Sequence, residues 1–540
     1  MVSLSIASRK RPATRPAGGA IFCGLLVLAA VAAILSSAGA GAAGVARSAA
    51  SHRQLGWAAT RLDWPTYLRG VRHWSATTGP ATITPGNAGR LKAAWLFQEQ
   101  PPTGNRQPQG GFSASPTVAD GMVFIGSQTG DLYALSESTG RLVWKRTLDY
   151  EQVGNNGHCL RVRGIVGTAT VAADPRTGKP VVYVPGARYL YALDAATGRQ
   201  LWKSLVGPRG SARVVGAYFN YASPNVTNGL VYEGVSSSCN APFVRGGVQS
   251  FSQHTGRLRH SFWTDPPGHV GASVWSSAAV TKSWVWVTTG DPLFTGAHLY
   301  HAYSVLRLNA RTLALRGAFQ LKLGQAADLD FGSSPTLFHI TVRGVPSVLV
   351  GACSKDGRYY ALRRDALGRG PIWSVQVGAP AHTGRGMCLA SAVWSDGTSQ
   401  LYLAGNATTI NGHTYDGSVR EVNPVTGKIR WATGLGCGVV GTPTLDAATG
   451  VLAVPTLDPC RAASLAVYLL NAASGRILGT LPLNAGAFAQ PVFAGKYLFV
   501  ADESGQVTAY TPASTAGRPH CTGWCTTRRH RTPQPPIPAP

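Results

Sequence analysis

The stretch DLYALSESTGRLVW (131–144) has a near twin in YLYALDAATGRQLW (189–202). Each begins with an alternating apolar run, passes through a Thr-Gly turn and ends on a second run closed by Trp. Alternation with period two puts every second side chain on one face, the pattern of a half-buried strand. An Asp or Asn before the turn can bond the backbone two residues on, and Gly accepts the positive φ of the turn. The frame recurs as GVQSFSQHTGRLRH, SVLRLNARTLALRG, RYYALRRDALGRGPIW, SVREVNPVTGKIRW and AVYLLNAASGRILG. Gly140, Gly198 and Gly256 are spaced evenly, Leu313 fills the next slot, and Gly427 and Gly475 continue the series. Trp144, Trp202 and Trp431 each stand four residues after a turn glycine. A large apolar ring with one N–H, held at a fixed offset, is predicted to pack one repeat against the next.

A second strand pair precedes each frame. Ser115-Pro116-Thr117-Val118 leads into MVFIGS, Ser223-Pro224-Asn225-Val226 into LVYEGV, Ser334-Pro335-Thr336-Leu337 into SVLVGA, and Thr442-Pro443-Thr444-Leu445 into VLAVPT. Four strands per unit make one propeller blade. Seven full units run from about Ser113 to Leu483, and an eighth, starting at Ala489, lacks its last strand. LKAAWLF (91–97) precedes the first unit and has the pattern of that missing strand. The expected fold is therefore all-β: an eight-bladed β-propeller of four-stranded antiparallel blades over 63–512, closed by an N-terminal strand, which leaves no free sheet edge.

The ends have a different composition. Arg9, Lys10, Arg11 and Arg15 precede an apolar run, Ile21–Leu35, and then small residues to Ala46. That order reads as a secretory signal over 1–46, or as an uncleaved N-terminal anchor. Residues 47–62 read as a flexible lead, and 513–540 as an Arg- and Pro-rich tail with a C-x-x-x-C. An extracytoplasmic location in the cell envelope, or secretion, is the expectation. Without Cys23 of the leader, eight cysteines remain, an even number that favours disulfides in an exported chain. The candidate pairs are Cys159–Cys239, Cys353–Cys388, Cys437–Cys460 and Cys521–Cys525. C-x-x-C-H spacing, which attaches haem, is absent, as are G-x-S-x-G and H-E-x-x-H. The net charge is +26. Removing four positive charges of the leader and four of the tail leaves the body at +18, which suits anionic envelope polymers or lipid surfaces. No Lys/Arg-rich reading element points to nucleic acid.

Beyond the repeat, GLVYEGVSS followed by VRGGV, then VWSSAAV, WVTTGDP, DLDFGSSPTL and SKDGRYYAL stand in one order. In these motifs, and in the lead-in DWPTYLRGVRHWSATT, the chain resembles the PQQ-dependent dehydrogenase propellers, with polyvinyl alcohol dehydrogenase-like proteins the nearest in type. The resemblance implies a quinone cofactor and Ca2+ at the channel. It implies that Trp275 lies under the quinone, that Arg245 holds a cofactor carboxylate, that Asp291 is a calcium ligand and that Lys355 contacts the quinone oxygens. A cation at Lys355 would stabilise charge on the reduced quinone. Asp328 and Asp330, flanking a DFG-like turn, read as loop-bonding groups. The chain also departs from the family. SCNAPFVRGG lacks the acidic residue and the cysteine pair expected there, so only Asn240 offers an oxygen to a metal. Ala302 and Tyr303 stand where the family places its base aspartate. Two functions follow. One is a dehydrogenase oxidising an alcohol or sugar, with a separate electron acceptor. The other is a non-catalytic propeller that binds a protein or an anionic envelope polymer. A membrane contact is expected only through an uncleaved N-terminal anchor.

Overall fold

The computed structural model describes residues 57–513, with breaks at 80–81, 101–109, 153–161, 211–215, 239, 241, 294–298, 323–327, 343, 382–386 and 461–464, together with 520–523. Eight four-stranded antiparallel blades surround one channel. In chain order the first seven span 117–147, 170–205, 225–263, 279–320, 336–376, 393–435 and 444–482. The eighth takes three strands from 492–512, and its outer strand is Leu91–Gln98, paired antiparallel with Gln506–Pro512. The ring is thus closed by strands from both ends of the repeat array. His520–Gly523 adds a parallel strand outside Leu91–Gln98, so the tail is not wholly separate from the propeller as the composition suggests. The lead is also tied down at its end: the Trp57 N–H donates to the Gly178 carbonyl at 2.7 Å.

The repeated Trp and the repeated Gly are two halves of one contact. The repeated outer-strand indoles reach the turn of the next blade and donate to a carbonyl there. Trp95 bonds Glu137 O, Trp144 bonds Ala195 O, Trp373 bonds Pro424 O and Trp431 bonds Ala472 O, at 2.9–3.1 Å. The ring lies against the turn glycine. At Gly198, with φ 67°, an added Cβ would come within 2.7 Å of the Trp144 ring. Trp95 of the closing strand makes the same contact with Gly140, so the closure joint is built like those at Gly198, Gly256, Gly427 and Gly475.

A second set of bonds fixes the channel wall. The backbone N–H before each inner strand donates to a hydroxyl of the next blade: Ser115 to Thr168, Thr168 to Ser223, Ser223 to Ser277, Ser277 to Ser334, Ser334 to Ser391 and Ser391 to Thr442, all at 2.8–3.0 Å. The Gln490 N–H returns to Ser115 at 2.9 Å. Each hydroxyl satisfies a buried donor that would otherwise be costly to leave unpaired.

The lead-in 62–77 seals one end of the channel. Its carbonyls take N–H groups from successive inner strands: Pro65 O from Val171, Val71 O from Val280, Arg72 O from Leu337, Trp74 O from Trp394 and Ser75 O from Leu445. His73 within it is buried, with Nδ1 2.8 Å from the Pro335 carbonyl, which fits the neutral ring.

Two outcomes test this packing. Gly198→Ala should destabilise the chain by at least about 1 kcal/mol when Trp144 is present and by less in a Trp144→Ala background, a coupling readable by urea unfolding. Burial lowers the His73 pKa to about 4, against the backbone bond that raises it. Above the ordinary histidine value both folded and unfolded chains hold this ring neutral. As pH falls toward about 4, the unfolded chain takes up a proton that the fold refuses, so stability is lost, by up to about 3 kcal/mol. His73→Gln should flatten that loss in melting curves recorded from pH 7 downward.

Candidate functional site

The open end of the channel widens into a cavity of about 930 Å³. Its wall is layered. The hydroxyls of Ser115, Thr168, Ser223, Ser277 and Ser334 surround the lower part, and Tyr67 of the lead-in also lines it. Two residues before each position of that hydroxyl ring, a second ring lines the cavity: Ser113, Val166, Tyr221, Trp275, Gly332, Leu389, Val440 and Phe488. Three of these are aromatic, Tyr221, Trp275 and Phe488, and Trp275 carries the largest flat face. A Cβ on Gly332 would meet that ring at 2.9 Å, so the bare glycine makes room for the indole.

Beside Trp275, blades 4 and 5 bring four charged groups together. Asp291 follows the second strand of blade 4, and Lys355 follows the second strand of blade 5. Asp328 and Asp330 lie on the connection between these blades. The Lys355 ammonium is bonded to Asp328 and lies 3.3 Å from Asp330 Oδ2. It also sits 5.7 Å from the centre of the Trp275 ring, a cation–π distance. Trp275 Nε1–H donates to the same Asp330 oxygen at 3.1 Å. Backbone bonds fix these groups, with Lys355 N–H to Asp330 O at 2.8 Å and Gly290 N–H to Ser273 O at 2.8 Å. The Cys353–Cys388 disulfide ties the strand that ends just before Lys355 to the next blade's approach, and Cys437–Cys460 forms as well. Cys159, Cys239 and Cys525, and the side chain of Cys521, lie outside the described residues.

Three carboxylates converge here. Ligand oxygens of Asp291, Asp328 and Asp330 all lie within 4.8 Å of one another. Asp291 Oδ1 and Asp330 Oδ1 are buried and have no hydrogen-bond partner. Burial, and then the charge of Asp330, push the Asp291 carboxyl up to about 9. Burial alone would raise Asp330 too, but the Lys355 charge and the hydrogen bonds to this carboxyl together outweigh it and hold it below its ordinary value. Burial would lower the Lys355 ammonium, and the charges of Asp330 and Asp328 outweigh it, so it stays charged. Oxygen-only donors with two free buried oxygens suit a hard divalent cation. The residues therefore fit the metal that the motifs imply, and the indole face beside a fixed ammonium fits a flat anionic ring.

The residues expected from sequence are only partly gathered. Trp275, Asp291 and Lys355 meet. Asn240 is adjacent, but its carbonyl oxygen accepts from Ser237 at 2.9 Å and its amide nitrogen points to Asp291 Oδ2 at 3.3 Å. It braces Asp291 and does not turn an oxygen toward the carboxylates. Arg245 is not among the cavity-lining residues: its guanidinium lies over Trp263, with Nε bonded to the Asp265 carbonyl at 2.6 Å. Asp328 and Asp330, expected to bond loop backbone, instead turn their carboxylates to Lys355. Two acids one residue apart before Phe331-Gly332 do not by themselves say which way a loop side chain points. Tyr303 is buried, and burial together with Asp291 and Asp330 raises its phenol above the ordinary value, so it is no substitute for the missing aspartate base.

Residues 64–382 match the family model described as "PQQ: Glucose/ethanol/alcohol dehydrogenase, beta-propeller domain". Polyvinylalcohol dehydrogenase of a Pseudomonas species is 23% identical over 367 residues, covering 60% of this chain and 52% of that protein. Quinohemoprotein alcohol dehydrogenase of Comamonas testosteroni is 26% identical over 353 residues, covering 57% and 46%. The chain spans about half the length of these curated relatives. The solved Comamonas testosteroni enzyme superposes with a TM-score of 0.67 at 18% identity, over 86% of this chain and 82% of that one. A europium-containing methanol dehydrogenase superposes at 0.66 and 16% identity, over 84% and 98%. At those identities the superpositions establish a shared fold.

Calorimetric titration with calcium should show binding that Asp291→Asn and Asp330→Asn each weaken by at least about tenfold. Asp396→Asn, a surface change at the His339 contact, should leave it intact. Equal binding by all four proteins would remove the cluster as a cation site.

Proposed function

Because the chain belongs to the PQQ-type glucose/ethanol/alcohol dehydrogenase β-propeller family, we propose that it is a quinoprotein dehydrogenase that oxidises the hydroxyl of an alcohol or sugar and passes the electrons to a separate acceptor. The observation that carries this reading is the Lys355 ammonium, fixed by Asp328 and Asp330 beside the face of Trp275 at the cavity mouth. When bound, pyrroloquinoline quinone supplies the two-electron acceptor that no side chain here can replace.

The chain's own residues supply the rest. Trp275 offers a flat apolar face, and Gly332 keeps the space for its ring open. Lys355 holds a permanent positive charge where negative charge develops, and it needs no reorganisation to do so. Asp291 and Asp330 each keep a buried oxygen without a hydrogen-bond partner and, with Asp328 close by, would hold the calcium ion. The alcohol proton goes to a carboxylate of the same cluster, since the Tyr303 phenol is the poorer acceptor. The cavity's volume leaves room for a substrate above a bound cofactor, and its serine and threonine hydroxyls suit a hydroxylated one.

Titration of the purified protein with quinone and calcium, followed by absorbance and calorimetry, tests this directly. Calcium-dependent binding, weakened at least about tenfold in Lys355→Ala, is expected, followed by turnover of an alcohol with an artificial acceptor. Absence of binding at saturating cofactor would refute the dehydrogenase reading and leave a propeller that binds a protein or polymer.

A further inference from the structure

In a four-stranded antiparallel blade, the turns joining strands one to two and three to four emerge on one face. The loops joining strands two to three, and blade to blade, emerge on the other. Asp291, Asp328, Asp330 and Lys355 all belong to the second set, as do Glu99, Asp502 and Glu503. The cavity therefore opens on an acid-rich face. The opposite face carries a repeated cation, alongside the exposed acids Asp120, Asp365 and Asp396, the last two of which lie against Arg364 and His339. Arg141, Arg199, Arg257, Lys428 and Arg476 each directly follow a glycine of the turn between strands three and four. All five are exposed, and none makes a salt bridge among the described residues. Exposed Lys282 and Lys496 occupy the turns between strands one and two on the same face.

Large aliphatic side chains accompany these cations. Leu142, Leu258, Ile429 and Ile477 directly follow Arg141, Arg257, Lys428 and Arg476, and are 38%, 45%, 45% and 42% exposed. Inside a blade such positions would be buried, and on an ordinary solvated rim a polar residue would serve. The chain also enters the propeller on this face. Trp57 is bonded to Gly178, in the turn between strands one and two of blade 2, and the Leu62 carbonyl accepts from Gly495 in the equivalent turn of blade 8. The apolar run Ile21–Leu35 lies upstream in the sequence.

We infer that the face opposite the cavity docks on a bilayer surface carrying anionic headgroups, with the cation–aliphatic pairs of several blades as the contact and the cavity turned away from the membrane. Guanidinium and ammonium groups take headgroup phosphates, and the adjacent Leu and Ile side chains enter the boundary between headgroups and acyl chains. Repetition around the ring supplies several weak contacts in one plane, which a flat surface can engage together. A soluble anionic polymer would use the cations but has no acyl region for the aliphatic partners. The inference is independent of the dehydrogenase chemistry, since it uses none of the cavity residues.

The test is flotation of the full-length protein with vesicles of phosphatidylcholine alone or with about one-third phosphatidylglycerol. Binding should be at least about tenfold stronger to the anionic vesicles and should weaken at about 0.5 M salt. The combined variant Arg141→Glu, Arg257→Glu, Arg476→Glu should lose that preference. Arg209→Glu, Lys322→Glu, Arg358→Glu removes the same charge from the cavity face and should keep it. The leader, with its own basic residues, is identical in both variants, and melting curves check that both fold. Equal loss in the two variants would assign the effect to net charge and overturn the inference. So would unchanged vesicle binding in Leu258→Ser, Ile477→Ser together with equally tight binding of polyphosphate, which would identify a soluble polymer as the ligand.

Discussion

The structure depends on one interblade contact, in which an indole of one outer strand lies on the turn glycine of the next blade and donates its N–H to a carbonyl of that turn. The contact has little tolerance. A side chain on the glycine would strike the ring, and any other residue in the Trp position would leave the carbonyl unbonded and the glycine surface bare. The contact sets the joints at Gly140, Gly198, Gly256, Gly427 and Gly475 to one pattern, and the ring closes through one of them. Trp95 on the N-terminal strand presents the same group to blade 1, so the closure joint matches those made by Trp144, Trp202, Trp373 and Trp431.

Closure sets the radius of the channel, and the hydroxyl ring fixes its wall. The site is a consequence. Eight structurally equivalent positions face the axis just above the hydroxyls, and the site uses their inequality: Trp275 fills the space that Gly332 leaves, and the loops of blades 4 and 5 carry the acids and the lysine. Lys355 and Asp330 depend on each other. Burial disfavours the ammonium and the carboxylates' charge favours it, while burial disfavours the Asp330 carboxylate and the ammonium favours it. What distinguishes the sector of blades 4 and 5 from the other six blades is thus a change of side chain on a shared frame. The two faces divide in a similar way. Loops of one set carry the cavity acids, and turns of the other set carry cations beside exposed aliphatics, because the alternation of strand direction sorts loop sequences by face.

By itself, the sequence determined the architecture. Period-two alternation, the even spacing of Gly140, Gly198 and Gly256, and the fixed Trp offset are local features, and each unit repeats the same local solution, so blade number and closure by 91–97 were legible without coordinates. Trp275, Asp291 and Lys355 were legible because they lie in motifs of recognisable order. Only the tertiary structure decided which loop groups meet. Asp328 and Asp330 belong to the cation cluster because a connection between blades turns them toward the axis, and Arg245 leaves the cavity because Trp263 and the Asp265 carbonyl hold its guanidinium elsewhere. Asn240 directs nitrogen, not oxygen, to Asp291 because Ser237 occupies its carbonyl. Strand periodicity is set by neighbours along the chain, whereas the direction of a loop side chain is set by whichever partners the folded loops bring to it: Ser237, Trp263 and the Asp265 carbonyl within blade 3 for Asn240 and Arg245, and Lys355 of blade 5 for Asp328 and Asp330.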